Sequence, residues 1–153
     1  MQPTWPDVEA TSHERLVASA GHIASIFFPY LAPLVVYFLY RNQSRFVRVH
    51  ALQAFFEALI LGVVLFVIGA ISLAFTLVKV WELVQTRGES FSWDLVWAAL
   101  LKVTFTWVAV AVVSLWYTFS SMMQAIEAVH GKWKPSIVSG RIAKRSIEPR
   151  GSP

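Results

Sequence analysis

The sequence predicts an all-α integral membrane protein, a bundle of three transmembrane helices. Composition is the first observation behind this prediction: the 153-residue chain is 56% hydrophobic and only 14% charged, whereas about a quarter of the residues of a soluble domain are charged. The apolar residues are concentrated in long runs, which favours membrane spans over a large water-soluble core. Cysteine is absent, and this excludes disulfide frameworks, thiolate metal sites and cysteine nucleophiles.

The length of the charge-free intervals is the second observation. Spanning about 30 Å of hydrocarbon takes about 20 helical residues. Intervals at 16–40, 58–78 and 103–126 contain no Asp, Glu, Lys or Arg, so we predict spans at about 16–40, 54–79 and 98–126 within a membrane domain at 13–142. We expect a flexible segment at 1–12, no cleaved signal peptide, and a basic flexible tail at 143–153. Pro29 and Pro33 predict a bend or a break in the first span.

The distribution of positive charge is the third observation, and it predicts the orientation. With three spans, the 41–50 connection and the C-terminal tail share one face, which holds nine of the 13 lysines and arginines. The positive-inside rule then places the N-terminus outside and the C-terminus in the cytoplasm, in a bacterial inner membrane. We expect no nucleic-acid binding, but contacts between anionic lipid head groups and the basic residues Lys132, Lys134, Arg141, Lys144 and Arg145.

Polar residues at the cytoplasmic level form the main candidate site. His50, Gln53 and Glu57 are spaced to share one helix face. Two further groups lie at the same predicted level and complete the candidate polar network or partner-binding surface: Arg45 and Arg48 before this face, and Gln124 and Glu127 at the end of the third span. Span length favours a shallow position for Glu57, with an interfacial helix around 43–56; the alternative places Glu57 deep in the second span.

Small residues and histidines in the apolar helices suggest packing more than chemistry. Gly21, Ser25, Gly62 and Gly69 are predicted helix-packing positions, with a dimer face as the alternative at Gly21 and Ser25. His22 is predicted to be a packing residue in the outer half of the first span, far from His50. We therefore expect no metal and no cofactor, haem included. Catalytic motifs are absent from the sequence, so we expect no enzyme; a lipid-head-group enzyme is the weaker alternative.

Three motifs carry a resemblance to a known family. Residues 44–55, "SRFVRVHALQAF", contain Phe46-Val47-Arg48 followed by His50 and Gln53-Ala54. This pattern resembles the signature of the twenty-kilodalton subunit family of the chloroplast inner-envelope protein translocon and its small bacterial relatives. "ERLVASAGH" (14–22) and "AIEAVHGKWKPSI" (125–137) are similar to further motifs of the bacterial members. For the plastid members the resemblance implies a polypeptide-conducting role in an import complex; for the bacterial relatives it implies no settled activity.

The predicted function follows from these observations. We expect a small membrane subunit or accessory protein of a larger membrane complex, with other membrane subunits as partners and a connection to protein translocation. The alternative is a self-assembling channel or carrier that uses the polar face of Glu57, His50 and Gln53. Buried polar residues in membrane helices serve either purpose, because they join helices or line ion pathways.

Overall fold

The computed structural model describes residues 10–86, 92–136 and 139–147. Within these ranges the chain forms helices and no strand, which confirms the predicted all-α class. The helices are α1 (Ser12–Phe27), α2 (Leu31–Tyr40), α3 (Arg45–Gln85), α4 (Trp93–Val129) and α5 (Ser139–Ile147). Most of the predicted N-terminal segment, at 1–9, and the end of the predicted tail, at 148–153, lie outside the described residues, as does the side chain of Lys144.

Two helices, α3 and α4, are long and apolar enough to cross a membrane. The first predicted span is not a continuous helix, because the chain leaves the helical conformation at residues 28–30. Its two parts, α1 with 16 residues and α2 with 10, are each shorter than the roughly 20 residues of a crossing. The structure therefore supports two candidate spans in place of three. It also shows no separate interfacial helix around 43–56, since α3 begins at Arg45 and runs unbroken past residue 56.

Contacts divide the chain into two compact units. The second unit, Leu61–Leu115, contains the C-terminal part of α3 and the N-terminal part of α4. In it, the hydroxyls of Ser72 and Thr106 lie 3.2 Å apart, and Lys102 Nζ donates a 3.2 Å hydrogen bond to Thr76 Oγ1. Large apolar side chains of this unit, such as Phe66 and Phe105, are exposed, which is the pattern of lipid-facing helices.

The first unit, Met1–Ile60 with Trp116–Pro153, begins with α1 and α2. A capping box starts α1: Thr11 Oγ1 accepts from the Glu14 N–H, and the Glu14 carboxylate accepts from the Thr11 N–H at 2.8 Å. Pro29 disfavours the helical conformation at Phe28, where φ is −129° and α1 has ended. Pro33 lies in the first turn of α2, where a missing N–H removes no helical hydrogen bond.

Helices α1 and α2 are antiparallel. His13 Nε2 and the Tyr40 hydroxyl are 3.0 Å apart, so the start of α1 lies beside the end of α2. Further along, a Cβ added at Gly21 would lie 3.7 Å from a methyl group of Val36. The contacting residues are closer together in the sequence for Gly21 and Val36 than for His13 and Tyr40. The two helices therefore form a hairpin whose turn lies at residues 28–30. We call residues 12–40 the N-terminal hairpin.

The C-terminal end of α4 turns the chain back. Gly131 has φ +70°, the Gly131 N–H donates to the Ala128 carbonyl, and the Lys132 N–H donates to the Glu127 carbonyl. This is a Schellman motif, which satisfies carbonyls that the helix end leaves unpaired. The left-handed conformation of Gly131 therefore directs the residues that follow it. We call the described residues 132–136 and 139–147 the C-terminal segment.

Gly131→Ala should destabilise the first unit. A left-handed residue with a Cβ costs about 1–2 kcal/mol, and the added Cβ would lie 2.8 Å from Arg15 Nε. We expect a lower midpoint of thermal unfolding in detergent. Gly69→Ala is the matched control, since no atom lies within 4 Å of its added Cβ. Equal midpoints for the two variants would contradict the assigned turn.

Candidate polar site in the first unit

The first unit buries one polar face of α3. His50 and Gln53 are buried and Glu57 is half-buried, at positions that place all three side chains on one side of the helix. We call these three residues the polar face of α3. Each of them meets a different part of the chain, and each contact lies within the first unit.

His50 contacts His22 of α1. His50 Nδ1 and His22 Nε2 are 3.0 Å apart, and the two rings meet edge to face with centroids 5.3 Å apart. One of these nitrogens must donate and the other accept, so the two imidazoles cannot both be protonated in this arrangement. The predicted separation of His22 and His50 is wrong, because α1 lies beside the first turns of α3 and brings the two rings together.

Gln53 contacts the C-terminal segment. Gln53 Oε1 accepts a 2.6 Å hydrogen bond from Trp133 Nε1, and Gln53 Nε2 donates a 3.3 Å hydrogen bond to the Lys134 carbonyl. Gln53 is 1% exposed and Trp133 9%. Both ends of the amide are therefore paired, as a buried polar group requires. The sequence interpretation did not assign Trp133 to the site; the available signal was its position directly after the Gly131 turn.

Glu57 contacts α4 and the start of α5. Its Oε1 accepts hydrogen bonds from Gln124 Nε2 at 2.5 Å and from Ser139 Oγ at 3.0 Å. Its Oε2 is buried and has no hydrogen-bond partner among the residues that the structure describes. Ser139 is fully buried and is a second residue that the sequence interpretation missed. The geometry thus pairs Glu57 with an amide and a hydroxyl.

The order of these contacts shows the path of the C-terminal segment. Trp133 and Lys134 meet Gln53, and Ser139 meets Glu57, so the segment advances along α3 in the same direction as α3 itself. A Cβ at Gly140 would overlap the backbone of Pro135. Glycine at this position therefore permits the close approach that brings Ser139 to Glu57.

The other charged residues of the predicted network, Arg45, Arg48 and Glu127, have no described contact with the polar face. Arg48 donates from Nη1 to the Arg41 carbonyl at 3.0 Å, and Arg45 is exposed at the start of α3. Glu127 forms a 3.1 Å ion pair with the exposed Lys134. The structure therefore brings Gln124 to Glu57, while the described contacts of Arg48 and Glu127 lead to Arg41 and Lys134.

The predicted packing and lipid-contact residues occupy varied surroundings. Gly21 faces Val36, and the buried Ser25 donates to the His22 carbonyl at 2.7 Å, while its own carbonyl accepts from the Tyr117 hydroxyl at 3.1 Å. Gly62 is half-buried, and Gly69 has open space around it.

Four of the basic residues predicted to contact lipid head groups are exposed: Lys132, Lys134, Arg141 and Arg145.

Metal ligation is not indicated by the arrangement of the side chains. In the described ranges, no three His, Asp or Glu side chains converge on a common point, whereas structural transition-metal sites use about four ligands. The contacts instead join α1, α4 and the C-terminal segment to α3. What the site can do chemically is to hold one proton between His22 and His50 and to fix the register of these elements.

Gln53→Leu should release the C-terminal segment. The substitution leaves the Trp133 N–H and the Lys134 carbonyl unpaired, and each buried unpaired group costs about 1–3 kcal/mol. We expect faster tryptic cleavage after Lys132 and Arg141, with membrane insertion retained. Gln85→Leu is the matched control, because Gln85 is exposed at the end of α3. Equal cleavage rates for the two variants would count against the assigned contacts.

Comparison with known proteins identifies the family. No curated protein and no solved structure matches the chain. One family model, MamF/MmsF, described as the magnetosome magnetite crystal formation protein family, matches residues 13–142. This match corrects the resemblance to the translocon subunit family and removes its implied connection to protein translocation. The resemblance was wrong because it depended mainly on the twelve residues at 44–55. The fold itself requires particular residue types in this stretch: Ser44 caps α3, Phe46 is buried, and the polar face begins here. The chain belongs to the MamF/MmsF magnetosome protein family.

Proposed function

We propose that the protein is a membrane accessory protein of magnetite crystal formation, with no catalytic activity of its own. The observation that carries this proposal is the family match over residues 13–142, which includes all the contacts of the polar face. The family description names crystal formation. The proposal transfers this role to the chain and adds that the chain acts from the membrane.

The surface of the chain supports a membrane location. Both α3 and α4 are candidate spans, and large apolar side chains of each are exposed, among them Phe66, Phe75, Phe105 and Trp116. An apolar surface of this extent is unfavourable in water and favourable in hydrocarbon. The proposed location is the magnetosome membrane, with the exposed lysines and arginines of the C-terminal segment at anionic head groups.

The contacts of the polar face favour an accessory role over a channel or carrier. An ion pathway needs polar groups that face a water-filled space. Here His50, Gln53 and Glu57 instead bond to His22, to the Trp133 and Lys134 pair, and to Gln124 and Ser139. Polar groups used in this way fix one arrangement of helices. An exposed surface held in that arrangement is what a subunit of a larger membrane complex would present to its partners.

Deletion and complementation test the proposed function. In a magnetite-forming host whose own copy is deleted, we expect crystals of altered size or number in electron micrographs. The wild-type chain and Gln85→Leu should restore them, and Gln53→Leu, at matched protein level in the membrane fraction, should restore them poorly. Crystals unchanged by the deletion would contradict the proposal. Full restoration by Gln53→Leu would show that the function does not depend on the buried contacts of Gln53.

A further inference from the structure

The N-terminal hairpin contains an apolar surface that the two candidate spans do not explain. Between Arg15 and Arg41 the chain has no Asp, Glu, Lys or Arg. Nine large apolar residues of the hairpin are exposed: Leu16, Ile23, Phe27, Phe28, Tyr30, Leu31, Val35, Phe38 and Leu39. Several of these surround the turn at residues 28–30. An exposed apolar patch with aromatic residues at its tip is typical of a surface that contacts lipid or a partner.

The dimensions of the hairpin decide how it can meet a bilayer. α1 has 16 residues and α2 has 10, which correspond to about 24 Å and 15 Å of helix. Crossing the hydrocarbon takes about 30 Å. Neither helix is long enough to cross alone. Because α1 and α2 are antiparallel, a chain that enters the bilayer along α1 turns back along α2 before it reaches the opposite face.

Hydrogen bonds hold both ends of the hairpin at one end of the first unit. His13 meets Tyr40 at 3.0 Å, and the Glu14 carboxylate interacts with the Ser44 hydroxyl, which together with the capping bonds of Thr11 lowers the pKa of Glu14. Arg15 Nε donates to the Ala10 carbonyl at 2.9 Å beside Gly131, at the end of α4. The start of α1, the start of α3 and the end of α4 therefore lie together.

The turn of the hairpin pairs much of its backbone within the chain. The Phe28, Ala32 and Leu34 N–H groups donate to the carbonyls of Ala24, Phe28 and Tyr30, and Pro29 has no N–H to satisfy. Backbone within a bilayer must be paired inside the protein. Three of the N–H groups around the turn are thus paired within the chain, and the described hydrogen bonds leave those of Tyr30 and Leu31 without a backbone partner.

We propose that the N-terminal hairpin is re-entrant: its tip is inserted in the lipid bilayer, and both of its ends remain at the membrane face that carries the C-terminal segment. With single crossings by α3 and α4, the two termini share one side. The sequence-based orientation had the N-terminus outside; in this proposal the N-terminus lies on the same side as the C-terminus. By position in the sequence, Arg15 then joins the nine basic residues of the predicted cytoplasmic face, while Lys79 and Arg87 are counted on the opposite side and Lys102 stays unassigned; this strengthens the positive-inside bias.

Single-cysteine labelling tests the shared side directly, because the chain has no cysteine. Ser12→Cys, Ser92→Cys and Ser146→Cys each place a thiol at an exposed position. A membrane-impermeant maleimide is applied to right-side-out and inverted vesicles. We expect Ser12→Cys and Ser146→Cys to react from one side and Ser92→Cys from the other. Any other pattern would overturn the proposal, and reaction of Ser12→Cys from the side of Ser92→Cys would restore three crossings.

A nitroxide at Phe28→Cys tests what surrounds the tip. In lipid, the spin label should collide strongly with oxygen and weakly with a water-soluble nickel chelate. Strong collision with the chelate would mean that the hairpin lies in water, and weak collision with both would mean that protein covers it; either result overturns lipid insertion. A Gly21→Cys/Val36→Cys pair should also form a disulfide, because these positions face each other in the hairpin. These readouts require no magnetite, so they are independent of the proposed function.

Discussion

The structure of the first unit depends on one constraint: polar groups in apolar surroundings are costly unless they are paired, and the polar face of α3 finds partners within the chain for all three of its side chains, although Glu57 Oε2 has none among the described residues. The polar face of α3 presents His50, Gln53 and Glu57, and α1, α4 and the C-terminal segment each supply a partner. Between helices in lipid the apolar driving force is small, so specific polar contacts and close packing set the arrangement. The same contacts therefore determine the path of the C-terminal segment and the depth at which α1 lies beside α3.

The N-terminal hairpin and the C-terminal segment have a common basis in local backbone chemistry. Pro29 ends α1, and the left-handed Gly131 ends α4. The first reversal returns the chain to the start of α3, the second directs it along α3, and Arg15 of α1 lies against Gly131. The exposed surface that results is apolar on the hairpin and basic on the C-terminal segment. Such a surface suits a protein that organises a membrane face, in agreement with the accessory role proposed for a member of this family.

Local features of this fold could be predicted from the sequence, and long-range ones could not. The shared face of His50, Gln53 and Glu57 follows from helical period, and the break near Pro29 follows from the missing donor and the crowded preceding turn. The partners are distant: Trp133 is 80 residues from Gln53 and Ser139 is 82 residues from Glu57, and no local rule selects them. The predicted span at 16–40 is divided into α1 and α2, because length and hydropathy do not distinguish a helix that bends from one that reverses. That distinction depends on the contacts of Gly21 with Val36 and of His13 with Tyr40.

A double-mutant cycle on Gln53 and Trp133 tests most directly the claim that buried polar contacts attach the C-terminal segment to α3. Gln53→Leu removes the acceptor, and Trp133→Phe removes the indole N–H while keeping an aromatic ring. Unfolding free energies of the four proteins in detergent give the coupling between the two side chains. The account predicts a coupling of about 1 kcal/mol or more, since the second substitution removes a donor that the first has already left unpaired. Additive effects, with no coupling, would contradict it.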